Sequence, residues 1–308
     1  MALTSILALT DFSRDGDRAL ARAGEIALGH QAVLRIMYQP SGTHPECLDP
    51  DTRLVQTAAA MARRLGLTVR AVGAGDYSRR NILLQAEKAK LLVLPLRSEQ
   101  GVLGPWFTGP DAIRFARDCR CPVLLVRGAV QRQLRQIIVG VDLTSASHHR
   151  AKLACLLDRD ARVELFHAVS RFDERPLRAG EVDRQVSNRY RDNCLEQEAR
   201  AKLERMTQSL PTQAVPVVSL ARIGEQAEHL MARLALTDAD LVVVGKSRRH
   251  AAVDWLLGST AHDLLAQSPC DVMVVPDDFT LSPVGSPVQN FRPLPVRKQA
   301  AWPAHWSQ

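Results

Sequence analysis

The chain reads as an α/β protein made of two tandem doubly wound domains, each a mostly parallel five-stranded sheet flanked by helices. Three observations lead there. Short apolar runs alternate with segments of helical periodicity, as βα units around a sheet buried on both faces require. The order of landmarks in the first half repeats in the second. A length of 308 residues is enough for two cores of ordinary size. The repeat shows as matched landmarks: Ile6–Leu9 ends at Asp11 as Ile137–Val141 ends at Asp142, and Gly75 pairs with Gly224. Leu91–Leu94 matches Leu241–Val244, and Cys121-Pro-Val-Leu-Leu-Val matches Cys270-Asp-Val-Met-Val-Val. The offset between copies grows along the chain, which places an insertion around Arg171 to Arg189 of the second copy. The expected boundaries are 1–130 for the first repeat and 134–276 for the second, with 277–308, rich in Pro and Ser, as a flexible tail.

In chain order, Ser13 caps a helix that carries Ala19, Ala23, Ile26 and Ala27 on one face, with Gly29 placed to end it. Ala32–Tyr38 follows as a strand. Leu54, Ala58, Met61, Ala62 and Leu65 form a second helical stripe stopped by Gly66, before a strand over Thr68–Val72. A helix around Ile82–Ala86 leads to the strand Leu91–Leu94, and one around Ile113 leads to Val123–Val126. The second repeat has strands at Ile137–Val141, Val163–Val169, Val215–Leu220, Leu241–Val244 and Val272–Val275. Its second helix is longer, with Leu195, Ala199, Leu203, Met206 and Leu210 at helical spacing. The apolar runs Val123–Val126 and Val272–Val275 would be unprotected sheet edges, so they are expected to pair within the chain and give one pseudo-twofold unit. A homodimer of such units is compatible with the sequence, although no residue marks its surface.

With 46% hydrophobic and 24% charged residues, the chain has the composition of a folded soluble protein and not of a disordered or fibrous one. Its longest apolar runs fall far short of the roughly 20 residues of a membrane span. Asp11, Arg14, Asp15 and Asp17 interrupt any hydrophobic leader. A cytoplasmic protein without a membrane partner is expected. Cys47, Cys119, Cys121, Cys155, Cys194 and Cys270 lack metal-ligand spacing and read mostly as small buried hydrophobes, Cys119 and Cys121 being only a CxC pair. His148 and His149 read as surface residues. A formal charge of +7 is spread over helices among acidic residues, with no nucleic-acid module, so nucleic acid is not the expected partner.

Parallel sheets of this kind bind ligands beyond the carboxyl ends of their strands, where chain order reverses. Asp142 lies there, as does the segment from Gly245 to Thr260 that runs from a strand to the next helix. Glycine lets backbone amides approach an anion, and Ser259 adds a hydroxyl where the helix dipole favours negative charge. Phosphate binding is the chemistry suggested; the alternative is that Gly258-Ser259 only caps a helix. No Walker loop, nucleophile elbow, zinc-type His-Glu spacing or kinase set is present, and Gly73-Ala74-Gly75 is a weak dinucleotide match. Asp11 and Asp142 have no partner acid beside them, so no catalytic residue is named.

The loop resembles that of the universal stress protein family, which reads Gly, two residues, Gly, nine residues, Gly, then Ser or Thr. The resemblance also rests on Asp11 and Asp142 and on the strands led by Cys121 and Cys270. Two linked copies look like the tandem members of that family. In ATP-binding members the first-strand aspartate and the backbone ending the second strand hold the nucleoside, while the loop glycines and Ser or Thr hold phosphates. The resemblance therefore implies that Asp142, Ala168, Val169, Gly245, Gly258, Ser259 and Thr260 bind ATP or another adenine nucleotide in the second repeat, with magnesium as a companion ion. It also implies a stress-response role.

Arg248 stands at the middle glycine. A side chain there narrows the approach and costs about 1 kcal/mol if the backbone has positive φ; alternatively Lys246, Arg248 and Arg249 contact phosphate directly. In the first repeat Pro95 and Ser98 replace the first two glycines, Gly109 matches Gly258, and Pro110 replaces the serine. That loop is expected to bind no triphosphate, with Trp106 and Phe107 filling or lining its pocket. Two other readings stay open, a ligand-free stress-response scaffold and an enzyme acting on a phosphorylated small molecule.

Overall fold

The computed structural model describes residues 3–40, 47–73, 76–96, 98–101, 104–108, 110–127, 133–169, 184–211, 216–248 and 255–280. Gly75, Gly109, Val215, Arg249, most of the expected insertion and residues 281–308 lie outside them. The first half runs β1 (Ser5–Thr10), α1 (Arg14–His30), β2 (Val33–Tyr38), α2 (Pro50–Leu65), β3 (Val69–Ala71), α3 (Arg79–Ala86), β4 (Leu91–Pro95), a hairpin of β5 (Ser98–Gly101) and β6 (Gly104–Thr108), α4 (Pro110–Asp118) and β7 (Val123–Val126). The second runs β8 (Gln136–Gly140), α5 (Ser145–Leu157), β9 (Arg162–Val169), α6 (Arg184–Gln208), β10 (Val218–Ile223), α7 (Gln226–Thr237), β11 (Leu241–Arg248), β12 (Trp255–Leu256), α8 (Ser259–Gln267) and β13 (Asp271–Pro276).

One sheet carries both halves in the order β10-β9-β8-β11-β13-β7-β4-β1-β2-β3. Every adjacent pair within a half is parallel. The halves meet where β13 and β7 pair antiparallel, Val272 opposite Leu125 and Val274 opposite Val123. This is the edge pairing anticipated from the two apolar runs, and it hides both edges. Strand order reverses beside β1 in one half and beside β8 in the other, so each half has a crevice at its strand ends. Alternate strand residues feed two core layers that both cross the seam. Ile6, Val93, Leu124, Met273 and Val243 lie in one layer, and Leu7, Leu92, Leu125, Val272 and Val242 in the other.

Side chains also tie the halves. Arg22 of α1 donates from Nε to the Asp271 carboxylate at 3.1 Å, both residues being buried. Arg127 donates to the carbonyl of Leu265 at 2.7 Å, in the last turn of α8. At equivalent strand positions the polarity is swapped: buried Arg35 on β2 bonds Gln85 of α3, whereas buried Glu164 on β9 takes a bidentate contact from Arg233 of α7 at 2.7 and 2.8 Å.

Several elements differ from the sequence reading. Helix α1 runs through Gly29 and is closed by Gln31, whose φ of 52° turns its amide back to the carbonyls of Ala27 and Leu28. Gly66, with φ 65°, ends α2 as expected. Strand β10 starts at Val218, because Pro216 supplies no amide to a ladder. Strand β11 is longer than its apolar run, since Gly245 and Lys246 stay paired with Val275 and Pro276 and the strand then pairs with β12. The expected tail begins too early: Asp277 donates its amide to the Lys246 carbonyl, and Phe279 packs into the core. The six cysteines are free, with Cys119, Cys121, Cys155 and Cys270 buried, Cys47 partly so and Cys194 exposed. Among the described residues no helix is long and apolar enough to cross a membrane.

Candidate functional site

At the carboxyl ends of β8 and β11 lies a cleft of about 250 Å³. Asp142 enters it by a tight turn. Leu143 takes a left-handed φ of 61°, Asp142 Oδ1 accepts from the amide and hydroxyl of Thr144 at 3.2 and 2.6 Å, and Thr144 then caps α5. Burial raises the Asp142 carboxyl, but Thr144, Arg150 and Ser147 together bring it below the ordinary carboxylate range. It is an anion in neutral solution, able to accept hydrogen bonds from hydroxyls.

The opposite wall is the start of α8. Gly258 is its N-cap, and among the described residues no side chain caps the helix and nothing lies within 4 Å of where a Cβ on Gly258 would stand. The first amides of a helix need acceptors, and here they border the cleft. Thr260 and Ala261 line the cleft, while Ser259 is exposed and does not. Of the two hydroxyl residues expected at the site, Thr260 lines the cleft and Ser259 does not.

Gly245 forms part of the floor, and its reason for being glycine is a neighbouring side chain. A Cβ there would fall 1.7 Å from Nη1 of Arg150. Arg150 projects from the buried stripe of α5 that also holds Ser147, Ala151 and Ala154, and it reaches Asp142 at 3.4 Å and Asp277 at 3.8 Å. Neither Arg150 nor Asp277 stood among the expected site residues. An arginine inside an otherwise apolar helical stripe was the available signal for one; the other was assigned to the tail. Gln226 at the start of α7 completes that side.

The remaining expected residues are distributed differently. Lys246 is a correction: it is 1% exposed and donates to the carbonyls of Ala116, Arg117 and Cys119, closing the C-terminal turn of α4 in the other half. Burial lowers its ammonium to about 8, against the pull of Cys119, Cys121 and Asp278. It is therefore spent on the seam between halves and does not face the cleft. Arg248 ends β11 in extended conformation opposite Trp255, so the left-handed strain considered for it does not arise. Ala168 and Val169 end β9 beside β8, outside the cleft lining, and the Val169 carbonyl accepts the Gly224 amide at 3.1 Å.

The first half has the same turn with a different filling. Asp11 Oδ1 accepts from Ser13, and Phe12 repeats the φ of 61°. Phe12 then stacks on Tyr38 with ring centroids 5.5 Å apart, Tyr77 meets Tyr38 edge-on, and the Arg53 guanidinium lies 4.4 Å over Phe12. These aromatics occupy the strand ends, and Asp11 is buried where Asp142 is exposed. The residues expected in that role, Trp106 and Phe107, lie on β6, and Pro95 and Pro110 end β4 and begin α4. Among the described residues no group of three His, Cys, Asp or Glu side chains is placed to hold a metal.

Residues 133–276 match the model of the Universal stress protein family. A search of curated proteins finds no match. Two solved structures are similar over 89% of this chain. One is a universal stress protein from Archaeoglobus fulgidus, 13% identical, covered over 98% of its length with a TM-score of 0.60. The other is a functionally unknown protein from Pseudomonas aeruginosa PAO1, 21% identical, covered over 93% with a TM-score of 0.63. At these identities the likeness is one of fold.

Proposed function

We propose that the universal stress protein domain at residues 133–276 binds an adenine nucleotide in the cleft between Asp142 and the start of α8, and that the chain senses or sequesters it in a cytoplasmic stress response. The observation that carries this reading is the open N-terminus of α8. Gly258 leaves room for close approach, the first-turn amides and Thr260 face the space, and an anionic Asp142 stands opposite. Amides and the helix dipole suit phosphate, and the carboxylate suits ribose hydroxyls. The adenine preference follows from the family resemblance. Magnesium enters only as the nucleotide's own companion, held by phosphate oxygens. We further propose that the first half, with aromatics at its strand ends, is a second, non-binding copy of the domain.

The test is a calorimetric titration of ATP, ADP and AMP into the full chain and into Gly258→Val. Valine adopts the backbone angles of Gly258, φ −61° and ψ 160°, and meets no neighbour among the described residues, so folding should be unchanged. Binding by the wild type and its loss in the variant support the reading. No heat with any nucleotide, or equal affinity in the variant, would contradict it and favour a ligand-free scaffold.

A further inference from the structure

Arg150 is a buried cation with donors to spare. It is 5% exposed, its Nε is buried with no hydrogen-bond partner among the described residues, and its guanidinium lies in the cleft floor against Gly245. A guanidinium has five N–H donors in a fixed fork that matches phosphate oxygens. Here Nη2 makes one long contact to Asp142 at 3.4 Å and an ion pair with Asp277 at 3.8 Å, beyond hydrogen-bond reach.

The two carboxylates differ in how they are held. Asp142 is fixed by Thr144. The Asp277 carboxylate makes no hydrogen bond among the described residues, yet its backbone is pinned by the Lys246 carbonyl and Phe279 packs in the core two residues on, so it stays at the cleft wall. Asp277 thus sets a second carboxylate against the one guanidinium, where it competes with a phosphate for the same N–H donors. Burial raises the Asp277 carboxyl; Arg150 opposes this, and Asp142 and Asp278 add to it.

We propose that Arg150 is the phosphate-binding cation of this cleft and that Asp277 is a built-in competitor for it, so that ligand phosphate and the Asp277 carboxylate exclude one another. The ligand class is a di- or triphosphate. For its nucleoside part the inference rests on the nucleotide reading above; for its anionic part it does not.

The experiment titrates ATP, adenosine and inorganic triphosphate into the full chain, Arg150→Gln and Asp277→Asn, with thermal melts to confirm folding. Asp277→Asn should tighten ATP and triphosphate about tenfold and leave adenosine unchanged. Arg150→Gln should weaken the two phosphate ligands by about ten- to a hundredfold, the loss of a charge-assisted hydrogen bond, and adenosine by much less, through the contact of Arg150 with Asp142. If Arg150→Gln fails to fold, Asp277→Asn alone decides. Triphosphate that follows this pattern while ATP binds no better and adenosine not at all overturns the nucleotide reading and keeps this one. ATP binding that ignores both substitutions does the reverse. Triphosphate that binds neither the wild type nor Asp277→Asn overturns the inference.

Discussion

Replacing Lys246 with Met leaves the carbonyls of Ala116, Arg117 and Cys119 without their donor, and buried acceptors in that state cost about 1–3 kcal/mol. Chemical denaturation should show that loss, while ATP affinity stays at the wild-type value; a loss of affinity with stability intact would return Lys246 to the site. At the start of α8, Thr260→Ala should weaken ATP binding about tenfold, the scale of one hydrogen bond to a charged group, and Ser259→Ala should not. Parallel titrations settle the pair, and the opposite order would restore the serine. Residue type alone suggested the chemistry of both positions. It could not say where each side chain points. Lys246 shares the strand face of Val242 and Val244, a period of two that carries it toward α4, and Ser259 is turned out of the cleft by the helical rotation that turns Thr260 in.

Helices and strands were legible where punctuation and periodicity agreed. Ser13 and Gly66 bound their helices as read, because a side-chain acceptor and a left-handed glycine are local devices. Gly29 misled for the same reason: it looks like a terminator, but the closing bonds are made two residues later by Gln31. Gly29→Ala should therefore stabilise the chain by about 0.5–1 kcal/mol, as alanine does in a helix interior, since a Cβ there meets nothing within 4 Å among the described residues. Gly66→Ala should destabilise it by about 1 kcal/mol, because φ there is 65°. Thermal melts of the two variants should shift in opposite directions; a destabilised Gly29→Ala would refute the placement of the helix end. The stripe of α5 was the missed element, where Arg150 interrupts an apolar face and thereby points into the crevice.

Across the whole molecule the repeat and its pairing could be read from sequence, since two apolar final strands have to be covered and each other's edge is the nearest cover. The polar locks across the seam could not, because Arg22 and Asp271 are far apart in the chain and meet only once the halves dock. Arg22→Ala removes a charged donor from the buried Asp271 carboxylate, which also accepts the Arg127 amide at 2.9 Å, and should cost about 2 kcal/mol. Both core layers cross the seam, so unfolding should remain one transition in urea; two separated transitions would show that the halves are independent. The asymmetry of ligand binding belongs to this scale too. One half offers an open helix start beside an exposed aspartate, and the other fills the same strand ends with Phe12, Tyr38 and Tyr77. Equilibrium dialysis with labelled ATP counts the sites directly. One ATP per chain, falling to none in Gly258→Val and unchanged in Pro110→Ser, is the predicted result; two per chain, or none in the wild type, would contradict it.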